Sequence, residues 1–498
     1  MTRGLFVHRH SPSHPQHDAL FCIVPPHIFE ALARSPEPAE RELALSVLSA
    51  DTTLRTARTT AHLLQLITPP AAAAVTTPHK LRRIYTANHG TSLPGTVVRS
   101  EGQGPSGDAA VDEAYNGLGA TFDLYWDIYQ RNSIDDAGMD LIGTSHYGNN
   151  YDNAFFNGSQ MVFGDGDGQF FNRFTIAVDV VGHELTHGVT AHTVGLVYHD
   201  QPGALNESMS DVFGSLVKQY SASPKQTAAQ ADWLIGAGLF TSNVNGVGLR
   251  SMKDPGTAYN DPKLGKDPQP ADMAHYVNTT SDNGGVHINS GIPNRAFFLA
   301  AVALGGYAWE KAGHIWYRTL LDPRLPSTAE FQDFANLTAD NADKLYGGQA
   351  RQAVIDAWRQ VGIIVGPSTI SGNWVLHYSW GCTNAYGQTT LTFNSNGTFS
   401  GPYTGQWRQR EGTLLLSFNS GPAKYAGTLD GNVATGAQST FAGLSGCWYM
   451  TNQGITGLRE GAVAPGAGVA QSYDVAGNPV GGGVRIGAQV ADAAGTPV

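Results

Sequence analysis

The sequence predicts an α+β protein of several folded units, the last of which is a small antiparallel β domain. A chain of 498 residues is too long for one compact core. From Arg82 to about Gly366, helical and strand-like runs mix without an obvious repeat. After Pro367, about eight short strand-like runs are separated by turns such as Asn396-Gly397, which predicts a small barrel or sandwich.

The two ends of the chain differ in composition from the folded units. Residues 1–78 form a predicted leader, which closes with the linker-like stretch PPAAAAVTTP (69–78) of prolines and small uncharged residues. The β domain is predicted at 367–460. Residues 461–498 are rich in Gly and Ala and have too little bulk to fold alone, so we expect a disordered tail.

Charge and hydropathy restrict the partners of the chain. The net charge of −11 comes from 41 acidic and 30 basic residues, with no long run of either sign, so we expect no nucleic-acid partner. The best apolar run, Ala296–Ala303, is too short to span a membrane. The first residues, MTRGLFVHRHSPSHPQH, lack the apolar stretch of a signal peptide. We therefore expect secretion by a non-classical route, with a cytoplasmic location as the alternative, and we expect a monomer.

A metal-binding pattern stands at 183–187, where the sequence is HELTH. On a helix, His183 and His187 lie one turn apart on the same face, so both imidazoles can reach one ion. Glu184 points beside the metal, where it can accept a proton from an activated water. The alternative is a pair of solvated histidines on a surface helix.

The next helical stretch, GALNESMSD (203–211), supplies a third ligand. A catalytic zinc ion takes three protein ligands and keeps one open position, and Glu207 completes a His/His/Glu set. Asp211 lies one turn further on, where it can hydrogen-bond the far nitrogen of a ligand histidine. The alternative is an acidic, solvated helix face.

A third constellation is DNGGVHINSG (282–291), in which two glycines precede a single histidine. This pattern predicts an exposed, shaped loop. His287 can stabilise an oxyanion if Asp282 keeps it protonated and oriented. A purely structural histidine is the alternative.

These three motifs, in this order and spacing, resemble the thermolysin family of zinc metallopeptidases, as do NAFFNGSQMVFGDGDG (153–168) and LRSM (249–252). The resemblance covers about residues 82–365. The short leader with Pro25-Pro26 and the missing signal peptide resemble the protealysin branch. The family fold has two lobes, expected here at 79–240 and 241–366, with the HELTH helix at the floor of the cleft between them.

The resemblance implies a role for each matching residue. One catalytic zinc ion binds to His183, His187 and Glu207, and Glu184 is the general base. Tyr198 and His287 stabilise the oxyanion, and the supporting hydrogen bonds come from Asn206, Asp211 and Asp282. Asn153, the backbone of Ala154, and Arg250 hold a protein or peptide substrate.

The residues that match the family's S1′ pocket are all apolar: Phe171, Phe174, Val180, Ile235 and Leu249. Such a pocket favours a bulky hydrophobic residue just after the scissile bond. We therefore predict an endopeptidase that is made as a precursor with its own leader as an inhibitory propeptide. A binding protein built on an inactive protease and a permanent regulatory leader are the rival hypotheses.

The calcium site of the family has lost most of its ligands. Asp179 and Asp232 remain, but the other matching positions are Lys218, Leu234 and Ala237. Calcium takes six to eight oxygen ligands, so we expect the Lys218 ammonium to balance the two carboxylates and calcium not to be required.

The chain contains three cysteines, for which we predict one disulfide and one cysteine outside it. Cys382 and Cys447 lie in one small unit, which predicts a disulfide in an oxidising compartment, with two buried thiols as the alternative. Closing that loop contributes about 4 kcal/mol on a chain-entropy estimate. Cys22 stands alone in the leader, either as a thiolate on the open zinc position or as a small buried residue.

Overall fold

The computed structural model describes residues 21–50, 77–365, 370–383, 385–394, 396–410, 413–430, 433–452, 472–476 and 478–480. The chain forms two compact units, Met1–Val365 and Gly366–Val498. Most of the predicted linker at 69–78 lies outside the described residues. In the described part of the chain, no helix is both long enough and apolar enough to cross a membrane.

The first unit is built on a six-stranded sheet with the order β1-β5-β6-β4-β2-β3. Strands β2, β4 and β6 are parallel, and the other pairs are antiparallel. The leader supplies β1 at one edge. The strands are β1 (Phe21–Cys22), β2 (Arg82–Thr86), β3 (Thr96–Ser100), β4 (Leu141–Ser145), β5 (Ala154–Phe156) and β6 (Met161–Phe163).

Ten helices belong to the described part of this unit. The leader contributes α1 (Pro26–Leu32) and the helical residues 38–50, called α2. The others are α3 (Ala109–Tyr129), α4 (Val178–Ala191), α5 (Asp200–Ser221), α6 (Asp282–Asn289), α7 (Gly291–Leu304), α8 (Ala312–Leu320), α9 (Phe331–Tyr346) and α10 (Gly348–Gln360). Short antiparallel pairs join β7 (Leu234–Ile235) to β8 (Arg250–Ser251) and β9 (Asn260–Asp261) to β10 (Gly265–Lys266).

Helices α4 and α5 pack closely because glycines face each other at their contact. A Cβ atom on Gly214 would lie 2.4 Å from the carbonyl oxygen of Asp179, and one on Gly182 would lie 3.1 Å from the Cα of Gly214. Glycine has no Cβ, so it lets two backbones approach in this way. The side chains of both helices can therefore reach a common point.

The second unit is a closed barrel of eight antiparallel strands in sequence order, so the predicted small β domain is confirmed. The strands are β11 (Gly372–Trp380), β12 (Gly387–Phe393), β13 (Thr398–Ser400), β14 (Gly405–Arg410), β15 (Thr413–Phe418), β16 (Lys424–Asp430), β17 (Val433–Ser439) and β18 (Ser445–Asn452). Alternate residues such as Trp374 and Leu376 point into a buried core. Cys382 and Cys447 form a disulfide with their Cα atoms 5.0 Å apart.

The predicted disordered tail is wrong for residues 472–476 and 478–480. Strands β19 (Ser472–Tyr473) and β20 (Pro479–Val480) form a hairpin whose turn places Val475 and Ala476 in the core of the barrel. Tyr425 donates its hydroxyl hydrogen to the Val475 carbonyl at 2.6 Å, and the Trp380 indole donates to that of Asp474 at 2.9 Å. The segment is too small to fold alone and is ordered by packing against another core.

Candidate metal centre and substrate cleft

Helix α4 is buried on every side from Asp179 to Thr190, although it carries several polar side chains. A buried polar group is costly unless it has a partner, so the polar residues of this helix require one. His183, Glu184 and His187 are each fully buried. Helix α5 places Glu207 against them, and this residue is buried as well.

Three potential ligand atoms converge between the two helices. The Nε2 atoms of His183 and His187 lie 3.1 Å apart. The Glu207 carboxylate places one oxygen 3.5 Å from His183 Nε2 and the other 3.5 Å from His187 Nε2. The predicted ligands are therefore brought together, as a set of atoms that could hold one ion.

The protonation of the two imidazoles fits a cation at this point. The Nδ1 atom of His183 lies 2.8 Å from the Asp211 carboxylate, and that of His187 lies 2.8 Å from the Asn206 amide oxygen. Both Nδ1 atoms therefore donate, and both Nε2 atoms present lone pairs to each other. The second oxygen of Glu207 is buried without a hydrogen-bond partner among the described residues. Two lone pairs and a carboxylate repel each other unless a cation lies between them, and this donor set suits zinc.

Asp211 is held as a carboxylate by its own partners. Arg250 donates two hydrogen bonds to it, at 2.9 and 2.8 Å, and Asn294 donates a third at 2.8 Å. Burial opposes ionisation of the Asp211 carboxyl, but Arg250 and His183 outweigh it and keep the pKa well below its usual value. The group that orients His183 is thus charged throughout the neutral range.

Glu184 hydrogen-bonds the backbone of the sheet. Its Oε2 atom accepts a hydrogen bond from the backbone N–H of Phe156 at 3.1 Å. Phe156 belongs to β5, the strand that faces the leader. The carboxylate is therefore held beside the site where an extended peptide pairs with this strand.

Both ring nitrogens of His287 face acceptors. Nδ1 is 2.6 Å from Asp282, and Nε2 donates to the Cys22 carbonyl oxygen at 3.1 Å. Burial alone would lower the pKa of His287, but Asp282 and Glu207 raise it above its usual value. The predicted exposed loop is wrong, because His287 and both glycines are buried and Cys22 of the leader covers Nε2.

The Tyr198 hydroxyl, which we predicted to stabilise the oxyanion, is hydrogen-bonded to Glu207. It donates a very short hydrogen bond to Glu207 and lies 3.3 Å from His287 Nε2. The residue is thus beside both the ligand set and His287, but its hydrogen is engaged by the Glu207 carboxylate.

The leader occupies every backbone-binding group that we predicted for a substrate. Strand β1 pairs antiparallel with β5, and the Ile23 N–H donates to the Ala154 carbonyl at 3.3 Å. The Val24 N–H donates to the Asn153 side chain at 3.1 Å. Arg250 donates to the Ile23 carbonyl at 3.0 Å. We call this groove, lined by Asn153, Ala154, Arg250 and His287, the cleft.

All five predicted pocket residues lie in the same hydrophobic core as the leader. Phe171, Phe174, Val180, Ile235 and Leu249 are buried, and so is Ile23. The rings of Phe171 and Phe174 stack with centroids 5.7 Å apart, and Phe29 of α1 packs on Phe171 at 6.4 Å.

Other leader contacts were missed by sequence reasoning. Glu40 of α2 accepts a hydrogen bond from Gln169 at 3.0 Å and a very short one from Lys263. His27 of α1 is half-buried, and its Nε2 atom is 2.7 Å from the Tyr259 hydroxyl. No local motif marks these partners, since each pair is separated by more than a hundred residues. The Val-Pro-Pro sequence could have indicated an extended strand, because a residue before proline avoids the helical region.

The cluster of Asp179, Asp232 and Lys218 is arranged as we predicted. The Lys218 ammonium is 3.3 Å from Asp179 and 2.8 Å from Asp232, and it also donates to the Leu234 carbonyl at 3.2 Å. Burial would lower the pKa of Lys218, but the two carboxylates raise it. The expected position of this ammonium is confirmed.

Comparisons with known proteins agree with this geometry. Residues 66–191 match the thermolysin metallopeptidase catalytic domain, and residues 194–363 match the thermolysin metallopeptidase alpha-helical domain. The two matches meet near residue 192, whereas our lobe boundary at 240 stays a prediction.

Individual relatives extend the match. An extracellular metalloprotease of Pectobacterium carotovorum subsp. carotovorum is 60% identical over 284 residues, which cover 57% of this chain and 81% of the relative. Protease PrtS of Photorhabdus sp. (strain Az29) is 48% identical over 351 residues, 69% of this chain and 92% of the relative. The solved precursor of protealysin, a metalloproteinase from Serratia proteamaculans, has 53% identity and a TM-score of 0.62 over 69% of this chain and 99% of that structure. The chain belongs to the thermolysin family of zinc metalloendopeptidases, in its protealysin-type branch.

Proposed function

We propose that His183, His187 and Glu207 hold one catalytic zinc ion, that Glu184 is the general base, and that residues 1–78 are an inhibitory propeptide. One observation carries the proposal. The leader backbone lies in the cleft with the Cys22 carbonyl oxygen 3.1 Å from His287 Nε2 and the Ile23 carbonyl 3.0 Å from Arg250. The leader therefore occupies the cleft as an extended substrate would.

Each side chain of the site has its own role in the proposed hydrolysis of the peptide bond. A bound zinc ion supplies Lewis acidity, which polarises a carbonyl and makes a nearby water more acidic. Glu184 accepts the proton of the attacking water and delivers it to the leaving nitrogen. His287, charged and oriented by Asp282, donates a hydrogen bond to the oxygen on which negative charge develops. The contact between Nε2 and the Cys22 carbonyl supports this direction of donation. Tyr198 assists once its hydrogen bond to Glu207 is released.

The register of the leader supports a preference for apolar residues after the scissile bond. With the carbonyl of Cys22 on His287, the bond between Cys22 and Ile23 occupies the reacting position. Ile23 is then the residue that enters the S1′ pocket, and it is fully buried. Burying a side chain of this size in an apolar site contributes about 1.5–3 kcal/mol.

The same contacts explain how the leader inhibits. Its strand is a segment of the same chain, so it competes with substrate at a high effective concentration. Helix α2 adds the contact of Glu40 with Lys263 and Gln169. The similar solved structure is that of a precursor, the precursor of protealysin. This similarity supports the proposal that this chain is a zymogen. We infer removal of the leader as the activation step.

The remaining proposals concern the location of the enzyme, its need for calcium and its oligomeric state. Secretion is supported by the disulfide of the barrel and by the extracellular relative, because disulfides persist in oxidising compartments. Lys218 supports independence from calcium. We propose a monomer that acts on proteins and peptides.

The test uses the enzyme after removal of its leader, with quenched peptides that differ only in the residue after the scissile bond. We expect kcat/KM to fall at least about tenfold from Leu to Ala and further to Asp. A zinc chelator should abolish all cleavage. Equal rates on the three peptides would overturn the specificity. Cleavage that survives full removal of zinc would overturn the proposed function.

A further inference from the structure

A second group of metal-binding side chains is built by other elements of the first unit. His89 follows β2, His146 follows β4, and Asp165 follows β6. These three strands are parallel, so their carboxyl ends meet at one edge of the sheet. A backbone hydrogen bond of 2.8 Å from His89 to His146 holds two of the loops together.

The geometry points to a second site for a divalent transition-metal ion such as zinc, held by His89 Nδ1, His146 Nδ1 and the Asp165 carboxylate. The Asp165 carboxylate is 2.9 Å from His146 Nδ1 and 3.4 Å from His89 Nδ1. In the cluster of α4 and α5, both separations between the carboxylate and an imidazole nitrogen are 3.5 Å. Bonds of about 2.0–2.1 Å in a tetrahedral zinc site place neighbouring ligands about 3.3 Å apart.

A fourth residue orients the central ligand. The Asp108 carboxylate is 2.9 Å from His146 Nε2. An acceptor at this position keeps a proton on Nε2, so Nδ1 can turn its lone pair to a metal. The same arrangement occurs in the first cluster, where Asp211 faces Nδ1 of His183 and leaves Nε2 for the ion. Each cluster thus pairs a ligand histidine with a carboxylate on its other nitrogen.

The surroundings favour a cation that exchanges with solvent. The side chains of His89, His146 and Asp165 are 61%, 20% and 27% exposed. A separate surface pocket of about 380 Å³ opens beside His146 and Asp165. Arg173 also lines it, but this guanidinium is paired with Glu113 at 2.6 Å, so the cluster remains negative. Two imidazoles and one carboxylate suit zinc, copper or nickel better than calcium.

Binding at this second site should be weaker than at the first. The Asp165 carboxylate already lies 2.9 Å from His146 Nδ1, so the metal must displace this contact. Since metal binding stabilises only the folded state, it should raise the thermal midpoint Tm.

The test counts zinc in the full-length chain by equilibrium dialysis at micromolar free zinc, and it follows Tm in parallel. We expect two zinc ions per wild-type chain and a Tm that continues to rise after the first is bound. His89→Ala, at an exposed position, should bind one ion and lose the second rise in Tm. His275→Ala is the matched control. It removes the imidazole of another exposed His–Asp contact, at 2.7 Å from Asp272, where no third ligand is present among the described residues.

Three outcomes would overturn the site. In the first, the wild-type chain binds a single zinc ion at these concentrations. Alternatively, His89→Ala keeps the second ion, which assigns it elsewhere, for example to the four histidines of HRHSPSHPQH (8–17). If His275→Ala alone loses the second ion, the site is at that surface and the proposal is wrong.

Discussion

Two clusters of charged side chains are built around helices α4 and α5, and only the cluster of Lys218 supplies its own cation. Lys218 lies between Asp179 and Asp232 and neutralises them. Three turns earlier on α5, Glu207 faces two imidazole lone pairs, and its buried Oε2 has no hydrogen-bond partner in the described part of the chain. The contrast teaches that a buried carboxylate cluster requires a metal only where the chain brings no positive group of its own.

The largest effect should come from removing a ligand of the first cluster. Glu207→Ala leaves two imidazoles for the ion, so we expect zinc to fall to trace levels and peptide hydrolysis to fall at least about a thousandfold. Asp232→Asn is the control, because it removes a charge from the cluster around Lys218 and leaves the three ligands in place. A Glu207→Ala enzyme that keeps both zinc and activity would contradict the ligand assignment.

A second prediction concerns what covers the first cluster. Ile23→Asp puts a charge into the apolar pocket, which costs several kcal/mol, so the leader should leave the cleft. We expect the uncleaved chain to gain peptidase activity by about tenfold or more. Cys22→Ala is the control, since the contact to His287 is made by the backbone carbonyl. Release by Cys22→Ala would show instead that the thiol holds the leader.

A third prediction concerns the cluster of Lys218, Asp179 and Asp232. Lys218→Met leaves the Asp179 carboxylate buried without its cation, which should lower the free energy of unfolding by about 2–4 kcal/mol. The Tm of the wild-type enzyme should not respond to millimolar calcium, whereas Lys218→Glu should acquire a calcium-dependent Tm. A large rise of the wild-type Tm with calcium would mean that other oxygen ligands replace the lost ones.

The smallest effect should be the pH dependence of leader docking. Burial, together with His287 and Arg250, lowers the pKa of His27 to about 4, although Asp282 opposes this shift. An undocked His27 has a pKa near 6.5, so the undocked state binds the proton more tightly. Docking should therefore be strongest above pH 6.5 and weaken as the pH falls towards 4. Hydrogen exchange of the Cys22–Val24 amides in an uncleaved Glu184→Gln chain measures this, and His27→Gln should remove the dependence between those two pH values.

Much of the first cluster was predictable because its residues occur in short motifs. HELTH and GALNESMSD each place their polar residues at one-turn spacing on a helix, and DNGGVHINSG places Asp282 near His287. The pairing of β1 with β5 was not predictable in this way, since two residues carry no periodicity and their register depends on contacts of Asn153 and Arg250 with a distant strand.

Two further features lay beyond local patterns for the same reason. The hairpin at 472–480 is ordered by Trp380 and Tyr425 of the barrel, and its own composition indicates disorder. His89, His146 and Asp165 are contributed by three separate loops, which only the parallel order of β2, β4 and β6 brings together.

The most direct test of the account is the zinc content and the turnover of Glu184→Gln, measured in one preparation after the leader has been removed. The substitution keeps the shape of the side chain and all three ligands but removes the proton acceptor. The account predicts zinc near one ion per chain at the first cluster and a fall in kcat of at least about a thousandfold. A Glu184→Gln enzyme that keeps its zinc and turns over at the wild-type rate would contradict it.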